Sequence, residues 1–297
     1  MTQKEKLLVQ YSNYLKMRNY SIDTYKSYMC SVRKFWEYCE RQRGNPSFDK
    51  DNAVQSYLAF RLTVQKRNFS TVNGDYSALQ WFYKYILGRE WDVRKLIRPR
   101  MEKRLPKYIN PKQVAKLVDV CPNQKHKVLF LTYYSTGLRL SEARKLNWED
   151  VSFEEGIIHV RKGKGAKDRI AILHKDMADL LKDYRKILPA SQTLVFAGKY
   201  YKDPMSKRAI QWAFVQARRK AELPEWVTAH VLRHSYATNV LKNKTDLLTL
   251  KELLGHKKLV TTSRYLHLDT SHLKISHNTL SHQCLQTVIQ QTQKDLP

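Results

Sequence analysis

The sequence predicts a mainly α protein in two domains, with one small antiparallel sheet in the second. Three observations carry this. Apolar residues recur at helical spacing through the first hundred positions. Capping residues and glycine stops punctuate them. Two short runs near the middle read as strands on either side of a Gly-Lys-Gly turn.

The first helix is expected from Lys4 to about Met17, with Leu7, Leu8, Tyr11 and Leu15 on one face. Ser21 is placed to cap the second, whose stripe is Tyr25, Tyr28, Met29, Val32, Phe35, Trp36 and Cys39, with Gly44 as a stop. A third spans about 51–65. The fourth starts after Ser70 and runs through Leu79, Trp81, Phe82, Tyr85 and Ile86 to Gly88. Four amphipathic helices with short polar turns make a bundle over residues 1–90. Residues 91–107 are basic and interrupted by Pro99 and Pro106, which reads as a linker crossing a phosphate backbone. Its cations Arg98, Arg100, Lys103 and Arg104 are candidate DNA contacts.

The second domain, 108–275, opens on Asn110-Pro111, a cap followed by proline at the first helical position. Lys125 to Tyr134 is an apolar helical run that Gly137 interrupts. Arg139 then starts a helix reaching about Leu146. Strands are expected at 157–161 and 168–173, joined by residues 162–167. Helices follow at about 177–187, 207–221, 229–241 and 249–254, and residues 276–297 form a tail.

The chain has 297 residues, with 54 basic and 27 acidic side chains, a net charge of +27. Residues 1–105 hold 21 basic and 10 acidic side chains, so the excess is shared by both domains. A long polyanion, nucleic acid, is the partner that neutralises so much charge over so much surface. A basic membrane-surface protein is disfavoured, because neither an amphipathic basic anchor nor a lipidation signal is present. The apolar runs fall short of the roughly 20 residues of a membrane span, and the N-terminus is too polar for a signal peptide. Cys30, Cys39, Cys121 and Cys284 form no CxxC pair and read as reduced, in a cytoplasmic protein.

The chemistry is carried by an ordered set: Arg139, Lys164, His230 with Arg233, His256, and Tyr265 nine residues later. Strand breakage that conserves bond energy needs a side-chain hydroxyl to attack phosphorus and cationic donors for the charge on the non-bridging oxygens. Arg139 and Arg233 suit the clamp, because a guanidinium forks onto two oxygens and keeps its proton. Lys164 can protonate the leaving 5′-oxygen. Tyr265, with an ordinary pKa of about 10, needs an acceptor nearby, and His230 and His256 are candidates. Taken singly, each residue has a plainer explanation: one of eighteen tyrosines, a solvated basic face, a hairpin lysine. His267, His272, His277 and His282 stand five apart, a spacing that gathers on no single helix or strand face, so no metal is expected.

With those residues in view, the sequence resembles the tyrosine recombinases, the phage-integrase and Xer-like family, over nearly its whole length. The family's first arginine matches TGLRLSE, giving Arg139. Its hairpin lysine matches GKGAKDR, giving Lys164 rather than Lys162 or Lys167. HVLRHSYAT gives His230 and Arg233, LLGH gives His256, and the nucleophile falls on Tyr265. Two departures are small. Val231 stands where the family often has a polar residue, and Lys257 and Lys258 replace small residues, adding charge near DNA.

The resemblance implies the tyrosine recombinase fold: a helical core-binding (SAM-like) domain and a mainly helical catalytic domain. It implies strand exchange through a 3′-phosphotyrosyl intermediate, without metal or nucleotide cofactor. It also implies double-stranded recombination sites as partners, a homo-tetramer on two duplexes, accessory DNA-bending proteins, and a tail that docks on a neighbouring protomer. His267 is similar to a histidine often found there in the family, and Glu142 could support the clamp. The helices begin almost at residue 1, which leaves no room for an extra N-terminal arm-binding domain. A compact Xer-like or mobile-element enzyme, bacterial and nucleoid-associated, is therefore favoured. The alternatives are a relaxing type IB-like topoisomerase and a non-catalytic DNA-binding protein of the same fold.

Overall fold

The computed structural model describes residues 2–45, 52–89, 91, 96–99, 106–161, 168–200, 202–242, 246–255 and 262. The chain divides into two compact units, residues 1–103 and 104–297.

The first unit holds α1 (Gln3–Met17), α2 (Ile22–Arg41), α3 (Ala53–Thr63) and α4 (Phe69–Tyr85). Ser21 caps α2 as expected, accepting from the backbone N–H of Thr24. The expected start of α4 is corrected. It begins at Phe69 rather than after Ser70, because the Asn68 carboxamide caps it by accepting the Thr71 N–H, an orphan donor of the first turn. Tyr11, Leu15, Val32, Tyr57, Leu58, Val72, Leu79 and Phe82 close the core. One charged network lies inside it. Arg61 donates to Asp75 at 2.9 Å, and Ser31 donates to the other Asp75 oxygen at 2.6 Å. Both carboxylate oxygens therefore have partners, the condition under which a buried charge is tolerated.

Part of the expected linker belongs to this unit. Trp91 packs edge-on against Tyr76 and donates its indole N–H to the Tyr76 hydroxyl. Arg98 lies over the Tyr76 ring and donates to Asn73 Oδ1 at 2.7 Å. Residues 91 and 96–99 thus rest on α4 rather than standing clear of it. Arg100, Lys103 and Arg104 lie outside the described residues.

The second unit contains α5 (Pro111–Asp119), α6 (Gln124–Thr136), α7 (Leu140–Ala143), a 3-10 turn at Trp148–Asp150, β1 (Val151–Ser152), β2 (Ile157–Val160), β3 (Arg169–Ile172), α8 (Lys175–Lys186), α9 (Lys207–Lys220), α10 (Ala229–Lys242) and α11 (Leu247–Leu254). The strands form one antiparallel sheet in the order β1-β2-β3, with Ile158 opposite Ala171 and Val160 opposite Arg169. β1 was not anticipated, and two residues are too few to show alternation.

Two helix bounds also shift. The helix expected to reach Leu146 stops at Ala143, because residues 193–195 take up the backbone beyond it: Val195 N–H donates to Leu146 C=O and Trp148 N–H to Thr193 C=O. α11 begins at Leu247 because Asp246 accepts the N–H groups of Leu248 and Thr249. α6 is buried all round, from Val128 through Tyr134, so it runs through the core. The residues that follow it are therefore held by a core helix.

Candidate active site

Gly137 ends α6 in the left-handed conformation, at φ +61°. A side chain there is excluded twice, by that φ and by the Tyr236 ring, which occupies the space a Cβ would need. The turn delivers Arg139 to the N-cap of α7. Glu142 reaches back, accepting from the Arg139 backbone N–H at 2.8 Å and from its Nη1 at 2.6 Å. The arginine's main chain and side chain are thus fixed by one carboxylate.

α10 supplies His230 and Arg233, one helical turn apart. Arg233 is only 3 % exposed. Its Nη1 donates to the Gly137 carbonyl, and its Nη2 donates to the Leu254 carbonyl at 2.5 Å.

The C-terminus of α11 joins these pieces. A helix leaves its last carbonyls without intrahelical partners, and here three consecutive ones receive three guanidinium groups. Arg169 Nη1 donates to Leu253 C=O at 2.6 Å, Arg233 to Leu254 C=O, and Arg139 Nη2 to Gly255 C=O at 2.6 Å. The negative end of the helix dipole offsets part of their repulsion. Gly255 closes α11 at φ +61°, and a Cβ there would lie 2.5 Å from Arg169 Cδ. His256 is the next residue in the chain.

Arg169 was not singled out in the sequence, although it closes the GKGAKDR segment. A signal existed. On β3 it shares a face with the buried Ala171, while Ile170 and Ile172 point outward and are exposed. A cation with the parity of a core residue implies a buried partner. That partner is Glu142, whose Oε2 accepts from Arg169 Nη2 at 2.7 Å.

The electrostatics follow. Burial pushes the Glu142 carboxyl up, but Arg169 and the hydrogen bonds from Arg139 outweigh it and leave it below the usual carboxylate range. Desolvation, then Arg139 and Arg169, push the Arg233 guanidinium down to about 10. Three guanidinium groups around one carboxylate leave a net positive site, suited to an oxyanion such as a phosphodiester.

His230 keeps an exposed surface, yet enough protein surrounds it that desolvation, then Arg233 and Arg139, hold its pKa below the ordinary value. Its Nδ1 lies 3.1 Å from the Tyr133 hydroxyl. The ring of His234 meets it edge-on, with centroids 5.1 Å apart. The structure therefore brings Arg139, Glu142, His230 and Arg233 to one place. Lys164, His256, Tyr265, His267, Lys257 and Lys258 lie outside the described residues.

The phage integrase family matches residues 107–272, more than half of the chain. The chain belongs to that family, the tyrosine recombinases. Its activity class is site-specific DNA recombination. A second match, the N-terminal SAM-like domain of phage integrases, covers residues 7–93 of this recombinase. It is 33% identical over 285 residues to the tyrosine recombinase XerC of Halalkalibacterium halodurans, covering 88% of this chain and 92% of that one. It is 32% identical to the tyrosine recombinase XerA of Pyrococcus horikoshii, covering 90% and 91%. The fold is similar to that of the XerH site-specific recombinase bound to difH substrate in a pre-cleavage complex (TM-score 0.68, 24% identity, 89% of this chain and 83% of that one). It is also similar to a lambda integrase dimer bound to a core site (TM-score 0.69, 20% identity, 88% and 97%). These relatives do not favour the topoisomerase alternative. No helix among the described residues is long and apolar enough to cross a membrane.

Proposed function

We propose that this recombinase cuts and rejoins duplex DNA at defined sites through a 3′-phosphotyrosyl bond at Tyr265. The phenolic oxygen attacks phosphorus and loses its proton to a neighbouring base, with His230 and His256 the candidates. The bond from phosphorus to the 5′-oxygen breaks, and that oxygen takes a proton from Lys164. Arg139 and Arg233 hold the non-bridging oxygens as charge gathers on them. The freed 5′-hydroxyl, or one from a partner duplex, reverses the step. Phosphoester bonds made equal those broken, so no external energy source is needed.

One observation carries the reading. Arg139 and Arg233, nearly a hundred residues apart in the chain, are fastened to adjacent carbonyls at 255 and 254, directly before His256. Such fixed donors cost little reorganisation when the transition state forms. The net charge of +27 supports duplex DNA as partner, as do the DNA-bound recombinases of the same fold. The reading extends to a homo-tetramer on two duplexes, to accessory DNA-bending proteins and to tail docking between protomers. A mobile-element origin and a cytoplasmic, nucleoid-associated location complete it. The transposon Tn1549 integrase, 18% identical with a TM-score of 0.65, has the same fold.

Incubating the protein with genomic fragments and mapping covalently trapped ends tests the reading. Trapping at one recurrent sequence is expected. Relaxation of random-sequence plasmid at many positions would instead favour topoisomerase behaviour, and binding with no adduct would favour a non-catalytic role.

A further inference from the structure

We propose that Tyr133 is a positioning residue that sets the tautomer of His230, so that neutral His230 presents Nε2–H to the scissile phosphate as a donor. The inference rests on the reading of His230 as part of the phosphate site.

Tyr133 sits on α6 and is 1 % exposed. Its hydroxyl lies 3.1 Å from His230 Nδ1. Distance alone leaves open which atom donates, because a neutral imidazole has one protonated nitrogen and one acceptor. The rest of the phenol's surroundings decide it. The backbone N–H of Leu140, at the start of α7, favours negative charge on the Tyr133 oxygen and so is itself no acceptor for its proton. Arg233 and Arg139 are the nearby cations, and neither accepts a hydrogen bond; the nearby anion, Glu142, already has both oxygens taken by Arg139 and Arg169. Burial raises the phenol's pKa well above its ordinary value, so the proton stays on it. That proton needs an acceptor, since an unpaired buried donor is costly. Nδ1 supplies one only when it carries no hydrogen. The imidazole proton must then be on Nε2, the nitrogen left for a ligand on a residue whose surface is open.

The neighbours point the same way. Desolvation, then Arg233 and Arg139, disfavour the imidazolium, which favours the neutral ring, and its tautomer then matters. A neutral His230 with Nε2–H cannot accept the Tyr265 proton there. It adds a third donor group for the phosphate beside Arg139 and Arg233, and the base role falls to another group.

Long-range proton–nitrogen spectra of the full-length protein, labelled at histidine, read the tautomer directly. The His230 signal is identified by its loss in His230→Gln. Near neutral pH a single Nε2–H form is expected, and an Nδ1–H form or an averaged mixture overturns the inference. In Tyr133→Phe the same signal should become a mixture. Cleavage of a nicked duplex should fall about tenfold, the loss expected for one neutral hydrogen bond, with DNA binding unchanged. Unaltered cleavage with an altered tautomer would overturn the positioning role. If instead His230→Gln itself left cleavage intact, the placement of His230 in the site would fail, whatever the spectra show.

Discussion

Arg169 and Glu142 meet at 2.7 Å, with both side chains more than nine-tenths buried. Glu142 also holds Arg139 at 2.6 Å, so the arginine proposed to hold the phosphate is tied to one from the sheet through a shared carboxylate. Breaking such a buried pair by removing one partner costs about 3–5 kcal/mol, because it strands the other charge. Arg169→Met and Glu142→Gln should each lower stability by about that much. The double variant should recover part of the loss. Urea unfolding of the three variants checks this, and simple additivity of the two losses would contradict it.

Glycine positions give a contrast of sign. Gly74 lies within α4, and a Cβ there meets nothing within 4 Å. Gly74→Ala should therefore stabilise the protein by about 1 kcal/mol through helix propensity. Gly137→Ala should destabilise it by more than the roughly 1–2 kcal/mol of a left-handed residue, since the Tyr236 ring blocks the added methyl. Thermal unfolding of the two variants should show opposite shifts.

Stability should depend on pH through His230. Its folded-state pKa is lowered by desolvation and then by Arg233 and Arg139. The unfolded chain takes up a proton near pH 6.5 that the folded chain resists, so stability falls as pH drops below that value. His230→Gln removes this contribution. The loss of urea midpoint from neutral to mildly acidic buffer should be smaller in the variant than in the parent, and an equal loss would contradict the assignment.

DNA affinity should fall steeply with salt. Each neutralised phosphate contributes a slope of about −0.9 in a logarithmic plot. Binding to an unrelated duplex, followed by anisotropy across a salt series, should show a slope of several units. A flat profile would remove the phosphate backbone as the main contact.

Much of this was legible in the sequence because it rests on local chemistry. Asn110-Pro111, Ser21 and the apolar stripes dictate their elements from neighbouring residues alone. Arg139, His230 and Arg233 could be named because their motifs are local too. What escaped depends on distant partners. α7 ends early because residues 193–195 claim the backbone after it. Arg169 looks like a hairpin cation until Glu142 and the end of α11 are beside it. Tyr133 looks like any core tyrosine until His230 arrives from 97 residues away.

Covalent trapping on a nicked duplex recombination site tests the central claim most directly. The parent protein should yield an adduct that survives denaturation and maps to Tyr265. Tyr265→Phe should bind the same duplex equally well and yield none. An adduct that persists in Tyr265→Phe, or maps to another tyrosine, would contradict the account.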